Sequence, residues 1–367
     1  MTKEFKIALL PGDGIGPDVV NEAVNVLNAI EKISNIKFVY EKLLVGGASI
    51  EEYGLPITQE TLEKVTKVDA VFLGAIGDFT YDTLDPAIRP EVALLKLRQV
   101  LGNFTNLRPT KVYEELIDNS PLKPERIKNV DIMIVRELVG GIYFGDPKGR
   151  VEDPDGLRAF NTMVYTAKEI RRIAKIAFEI AKGRNNKLCS VDKANVLAVS
   201  QLWRDVVIDV SKDYPEVELS HLYVDNAAMQ LVLDPQRFDT IVTGNMFGDI
   251  LSDEAAILTG SIGMLPSACL GGEGPAMYEP VHGSAPDLVG QDTVNPIAAI
   301  LSAAMMLKYS FNLHNEYTLI DNAVKSVLKE GYRTKDIAIN KDVKVVGTKE
   351  MGKLITNKVL ETANVKC

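Results

Sequence analysis

The stretch DTIVTGNMFGDILSDEAA, residues 239 to 256, reads as a buried strand, a glycine turn and a helix. A strand that turns sharply into a helix is the building unit of an α/β protein with parallel sheet. Asp249 and Asp253 stand four residues apart at what reads as the start of that helix. At 3.6 residues per turn their carboxylates project from one face, where they can converge on a hard divalent cation such as Mg²⁺ or Mn²⁺. A second reading stays open here, because Asp in the first turn of any helix faces the positive end of its dipole.

Outward from this stretch the same alternation recurs. KIALL, IKFVYEKL and DAVFLGA are strand-like, separated by the helical patterns DVVNEAVNVLNAI and TLEKV. DIMIVREL, LCSVDK and LSHLYVD follow the same form, each with a polar or charged residue near its end. Open α/β sheets bind ligands at strand carboxyl ends, which directs attention to Arg136, Lys193, Asp225 and Asn245. The chain shows no internal repeat, low-complexity tract or long flexible linker.

Of 367 residues, 46% are hydrophobic and 25% charged, a composition that fits a globular protein with more than one layered unit. With 41 basic against 50 acidic residues the net charge is −9, which disfavours nonspecific binding to nucleic acid or anionic lipid. The apolar run IALL is too short for the core of a signal peptide, and ILSAAMML (300 to 307), bounded by Pro296 and Lys308, is too short to span a membrane. A cytoplasmic protein is the expectation. Cys189, Cys269 and Cys367 are widely spaced without a CxxC and read as reduced thiols, and His221, His282 and His314 show no ligand spacing.

PGDGIGP follows a strand and opens a helix, yet Gly12, Gly14 and Gly16 miss the GxGxxG spacing by one residue. A tight strand-to-helix turn with Pro17 early in the helix is the structural alternative to a pyrophosphate cradle. In EVALLKLRQVL, Glu91, Leu94, Leu95 and Arg98 fall at i, i+3, i+4 and i+7 and so share one stripe, while Ala93, Leu97, Val100 and Leu101 form the better core face. The stripe is either a charge pair bracketing half-buried leucines or a pocket wall that binds an apolar branch beside a carboxylate. Arg108 and Arg136 make the second reading reasonable, since guanidinium groups bind carboxylates in bidentate geometry.

LLPGDGIGP (9 to 17), RPEVALLKLRQVLGNFTNLRP (89 to 109), VRELVGGIYFG (135 to 145), VDKANVL (191 to 197), YVDNAAMQLV (223 to 232), the Asp249 segment and EPVHGSAPD (279 to 287) occur in this order. Together they resemble the isocitrate/isopropylmalate dehydrogenase family of metal-dependent decarboxylating dehydrogenases, over nearly the whole chain. The resemblance implies an α/β fold of two domains with a sheet shared between them rather than a Rossmann fold. A cofactor-binding domain would comprise residues 1–103 and 260–367. An inserted domain, 104–259, would carry the subunit interface and the metal and substrate residues, with GDPKGRVEDPDG (145 to 156) as an excursion that helps clasp a partner subunit.

The resemblance further implies NAD-dependent oxidative decarboxylation of 3-isopropylmalate to 4-methyl-2-oxopentanoate in leucine biosynthesis. Family members acting on isocitrate, homoisocitrate or tartrate usually depart from the Glu91, Leu94, Leu95 pattern, and they are the alternative. By the same resemblance Lys193 is the base, Tyr143 supports proton delivery, and Glu91, Leu94, Leu95, Arg98, Arg108, Arg136 and Asp225 bind substrate. Asp225, Asp249 and Asp253 hold Mg²⁺ or Mn²⁺. Ile15, Glu279, His282, Gly283, Ser284, Ala285, Pro286, Asp287 and Asn295 bind NAD. Asp287 would accept hydrogen bonds from the adenosine ribose and repel a 2′-phosphate, although after Pro286 it also reads as a plain turn residue.

The active unit would be a homodimer with shared sites, without nucleic-acid or membrane partners. A noncatalytic regulatory subunit or a bare dinucleotide-binding module are the readings from other classes, and the presence of every metal and base residue speaks against the first. The chain departs from common members at GAIGDFTYDTLDP (74 to 86), where a Gly-Gly-Pro-Lys-Trp-like stretch is more familiar; this loop precedes the substrate helix and bears on substrate breadth.

Overall fold

In the computed structural model, which describes residues 2–340 and 342–364, the apolar runs become strands and the periodic runs become helices. The chain opens with β1 (Lys3–Gly12), α1 (Gly16–Ile33), β2 (Ile36–Lys42), α2 (Gly47–Tyr53), α3 (Gln59–Val65), β3 (Ala70–Ala75) and α4 (Glu91–Leu101). There follow β4 (Thr105–Lys111), α5 (Pro124–Ile127), β5 (Asp131–Glu137), β6 (Gly149–Asp153), β7 (Gly156–Phe160), α6 (Ala167–Lys182), β8 (Lys187–Asp192) and α7 (Ala198–Ser211). Next come β9 (Glu218–Tyr223), α8 (Val224–Leu233), β10 (Thr240–Thr243) and α9 (Asn245–Ala256). The last stretch holds β11 (Pro266–Leu270), β12 (Ala276–Pro280), α10 (Ile297–Tyr309), α11 (His314–Lys329), β13 (Tyr332–Arg333), β14 (Lys344–Val345) and α12 (Thr348–Asn364).

Two compact units emerge. One takes the chain up to Asn103, Tyr113–Pro121 and the chain from Thr259 onward; the other takes Phe104–Val112 and Leu122–Leu258. In the first, strand order is β2-β1-β3-β12-β11, parallel except that β11 runs antiparallel to β12. β1 and β3 are near-continuous apolar runs, as strands covered by helices on both faces require, and Ile7, Leu10, Val71 and Phe72 are fully buried. Helix α10 is buried from Ile297 through Leu307, which explains why ILSAAMML has no polar face. Among the described residues no helix is long and apolar enough to cross a membrane.

Between β1 and α1 the glycines serve packing. Gly12 and Gly14 have φ of +72° and +54°, and an added Cβ would lie 1.9 Å from the Ala75 carbonyl oxygen and 2.1 Å from that of Ser284. Pro17 sits in the first turn of α1, as the tight-turn reading of PGDGIGP expects. On α4, Ala93, Leu97 and Leu101 are buried as expected, but Val100 is 42% exposed, because it lies at the edge of that face in the helix's last turn. Residues 113–121 pack with the first unit, whereas the sequence reading places them in the insert. Tyr113 and Leu116 are buried there, the Tyr113 hydroxyl donates to Asp321 at 3.3 Å, and Arg333 donates to the Glu115 carbonyl at 2.7 Å.

In the second unit strand order is β4-β5-β10-β8-β9, parallel except for β4 against β5. The stretch around 145 to 156 forms an exposed antiparallel ribbon, β6 with β7. Helix α6 opens on a capping box, Thr166 with Glu169, and buries Ile170, Ile173, Ala174, Ala177 and Phe178 along one stripe. Cys189 and Cys269 are buried thiols outside any disulfide; burial pushes the Cys189 thiol up to about 11. Cys367 lies outside the described residues.

Candidate active site

The second unit gathers a charged cluster where β5 and β10 end. The two strands pair in parallel with Thr243 beside Arg136, so the Arg136 side chain lies against the start of α9. Gly244 caps α9 and the helix begins at Asn245, which puts Asp249 and Asp253 in its second and third turns rather than at its start. The helix-dipole account of these two carboxylates therefore fails, since that effect fades within the first turn. They face guanidinium groups instead.

Arg136 is buried; its Nη1 donates to the Asp249 carboxylate, and its Nε and Nη2 donate to Asn245 Oδ1 at 3.1 and 2.9 Å. Arg108 on β4 donates from Nε to Asn106 Oδ1 at 2.8 Å and from Nη1 to Ser252 Oγ at 2.7 Å and Asp253 Oδ1 at 3.0 Å. The Tyr143 hydroxyl donates to Asp249 Oδ2 at 3.2 Å. Partial burial, and then the Asp249 charge, raise the Tyr143 pKa, which keeps that hydroxyl protonated. Arg108, Arg136, Tyr143, Asp249 and Asp253 are thus brought together by β4, β5, the loop after β5, and α9.

Lys193 and Asp225 form a separate pair. Strands β8 and β9 run side by side with Asp192 beside Tyr223, so the residues just after each strand meet, and the Lys193 ammonium donates to the Asp225 carboxylate. That hydrogen bond holds the Asp225 carboxyl below the usual range. Asp192 is fixed underneath by a two-point contact from Arg204 at 2.8 and 2.9 Å. Among the described residues no three of His, Cys, Asp and Glu converge as a metal site within one chain. Asp249 and Asp253 are the pair this chain itself supplies, with carboxylates 37% and 65% exposed. Their hard oxygen donors suit Mg²⁺ or Mn²⁺. Two guanidinium and two carboxylate groups balance in charge.

In the first unit the α4 stripe is uncovered: Leu95 is 50% exposed, Glu91 is exposed and Leu94 is half-buried. Arg98 donates from Nη2 to Glu279 Oε1 at 3.1 Å, while its Nε is buried without a partner. A buried donor without a partner costs free energy. The PGDGIGP turn and the EPVHGSAPD loop meet, the Ile15 N–H donating to the Ser284 carbonyl at 2.8 Å, with the Ile15 side chain buried. His282 is buried with Nδ1 against the Gly283 carbonyl at 2.9 Å and Nε2 unpartnered; burial lowers its pKa, so it is a neutral ring with one open nitrogen. Gly283 has open space around its Cα, Ala285 takes φ +37°, and Pro286 begins the short turn that carries the exposed Asp287. Asn295 is engaged inside the fold: its amide donates to Asp336 at 3.0 Å and its oxygen accepts the Ile297 N–H at 3.0 Å.

Residues 6–355 match the model of the isocitrate/isopropylmalate dehydrogenase family. The chain belongs to this family. It is 57% identical to a 3-isopropylmalate dehydrogenase of Sulfurimonas denitrificans, over 97% of this chain and 99% of the relative. It is 58% identical to one of Cupriavidus pinatubonensis, over 96% and 99%. Among solved structures, the isocitrate dehydrogenase from Methylococcus capsulatus superposes with TM-score 0.83 at 33% identity, covering 97% of this chain and 99% of that one. The beta-decarboxylating dehydrogenase from Thermococcus kodakarensis gives 0.82 at 33% identity, over 99% and 98%.

In this isocitrate/isopropylmalate dehydrogenase family member several residues around the charged cluster escape sequence reasoning. Asn106 orients Arg108 from two residues away on the same strand face, a period-2 relation that offers a signal. Ser252 beside Asp253, and the Asp192–Arg204 pair under Lys193, carry no such pattern.

Proposed function

We propose that this chain is a cytoplasmic, homodimeric 3-isopropylmalate dehydrogenase, converting 3-isopropylmalate to 4-methyl-2-oxopentanoate in leucine biosynthesis. The observation that carries the reading is the convergence of Arg108, Arg136, Tyr143, Asp249 and Asp253 in a chain that leaves Leu95 exposed and Leu94 half-buried on the Arg98 helix. Asp249 and Asp253, with Asp225 of the partner subunit, would hold Mg²⁺ or Mn²⁺. When bound, the cation would supply positive charge that offsets negative charge developing on the substrate, and NAD would supply the hydride acceptor.

The residues of this chain do the remainder. Arg98, Arg108 and Arg136 bind the two carboxylates, Leu94 and Leu95 take the isopropyl branch, and Glu91 closes the stripe. Lys193 takes the hydroxyl proton as C2 is oxidised. The resulting 2-keto acid carries a carboxylate β to its carbonyl and loses it as CO₂; the Tyr143 hydroxyl supports proton delivery to the carbon left behind. The first unit is the cofactor-binding domain, using Ile15, Glu279, His282, Gly283, Ser284, Ala285, Pro286, Asp287 and Asn295. Dimerisation is supported by apolar side chains left exposed on and just after α8 and α9, namely Met229, Val232, Leu233, Ile250 and Ile257.

The test is a panel of 3-isopropylmalate, isocitrate, homoisocitrate and tartrate, each with NAD or NADP and with Mn²⁺ or exhaustive chelation. The reading expects turnover of 3-isopropylmalate with NAD and metal, little with NADP, and none after chelation. Preference for another acid, or undiminished activity in metal-free protein, would overturn it.

A further inference from the structure

Tyr165 lies between β7 and α6, outside every motif used above. Its hydroxyl accepts the backbone N–H of Asn245, the first residue of α9, at 2.8 Å, and the charge of the Glu137 carboxylate acts on it. A phenol oxygen has lone pairs to receive that N–H and keeps one proton to give. Glu137 is fully buried and takes the N–H of Val139 at 3.2 Å, that of Gly140 at 2.8 Å, and Arg172 at 3.4 Å. Burial, and then the Glu137 carboxylate, push the Tyr165 pKa far up, which keeps the proton in place.

Three glycines close on the ring. A Cβ would lie 2.5 Å from Tyr165 Cε1 at Gly140, 2.7 Å from its hydroxyl at Gly141, and 3.1 Å from the hydroxyl at Gly244. Gly140 and Gly141 open the loop that carries Tyr143, and Gly244 caps the helix that carries Asp249 and Asp253. Against the ring, Trp203 of α7 packs edge-on at 5.4 Å, and its indole N–H donates to Ser190 Oγ at 3.2 Å in β8, the strand that leads to Lys193. Asn245, held through its backbone by Tyr165, accepts Arg136 on its side-chain oxygen and donates to the Leu138 and Gly140 carbonyls at 2.9 and 3.3 Å.

We propose that Tyr165 is a positioning residue for the reaction, its hydroxyl and ring fixing the Tyr143 loop, the start of α9 and the strand leading to Lys193 to one point. This rests on the roles given above to Tyr143, Lys193, Asp249 and Asp253. A residue that only filled space would need no hydroxyl, yet here the hydroxyl holds the first N–H of α9 while the ring and hydroxyl press on Gly140 and Gly141 of the Tyr143 loop. Small displacements of catalytic groups have large effects on rate.

The experiment compares Tyr165→Phe, Glu137→Gln, the double variant and Phe178→Leu with the unmodified dimer. Phe178 stacks on Tyr214 in the core of the same unit, so its truncation lowers Tm and leaves the hub intact. Tyr165→Phe should lower kcat with 3-isopropylmalate roughly ten- to hundredfold. KM for NAD should stay within about twofold. Mn²⁺ binding, titrated calorimetrically without substrate, should weaken severalfold, and the double variant should be no worse than the poorer single one. Phe178→Leu should keep kcat and Mn²⁺ affinity at an equal or greater loss of Tm. Unchanged kcat and Mn²⁺ affinity in Tyr165→Phe, losses matched by Phe178→Leu at equal Tm, or additive effects in the double variant would each overturn the proposal. Failure of the dehydrogenase reading would show separately, as no turnover by the unmodified protein; the Mn²⁺ titration then decides the role of Tyr165 alone.

Discussion

Leu95 is half exposed and Leu94 half-buried on a helix whose other face is packed tightly through Ala93, Leu97 and Leu101. Truncating a buried leucine opens a cavity, whereas truncating an uncovered one removes surface that only a ligand would bury. Leu94→Ala and Leu95→Ala should therefore weaken discrimination for the isopropyl branch by roughly 1 to 3 kcal/mol, read from kcat/KM on 3-isopropylmalate against unbranched malate. Equal losses on both acids would make the leucines structural. The stripe is legible in the sequence because helical spacing separates it from the core face. The open Arg98 Nε and the unpartnered His282 Nε2 are not, since each depends on what surrounds the atom in three dimensions.

Helix α9 shows what an element adds to its residues. The four-residue spacing of Asp249 and Asp253 is plain in the sequence, but where the helix starts is not: Gly244, Asn245 and Gly248 all lie in a stretch where either a loop or a helix fits the pattern. The helix starts at Asn245 because Tyr165 and Arg136 hold that residue, contacts that bridge 80 and 109 positions and leave no local trace. The return of Tyr113–Pro121 to the first unit is hidden in the same way, resting on Asp321 and Arg333 far along the chain. With both carboxylates beyond the first turn, they add little to the helix itself. Asp253 is 65% exposed, and its pairing with Arg108 contributes roughly 0 to 1 kcal/mol. Asp253→Asn should leave the metal-free Tm nearly unchanged. It should abolish the stabilisation by Mn²⁺, which for the unmodified protein reaches about 2.7 kcal/mol at a hundredfold excess over Kd. A large fall in metal-free Tm would show instead that the carboxylate is structural.

At the scale of the whole molecule, one chain does not gather three metal-binding side chains among its described residues, and Lys193 pairs with Asp225 apart from the arginine cluster. The proposed twofold dimer, exchanging these residues, would complete two equivalent sites. Lys193→Ala and Arg108→Ala homodimers should each be nearly inactive. A mixed dimer of the two has one intact site and one with both lesions, so it should recover about half the unmodified activity per dimer. No recovery in verified mixed dimers would exclude shared sites. The reaction itself is tested by incubating the protein with 3-isopropylmalate, NAD and Mn²⁺ and quantifying NADH, CO₂ and 4-methyl-2-oxopentanoate in the same samples. All three should accumulate in equal amounts; NADH without matching CO₂ and keto acid, or no NADH at all, would rule out oxidative decarboxylation of this acid.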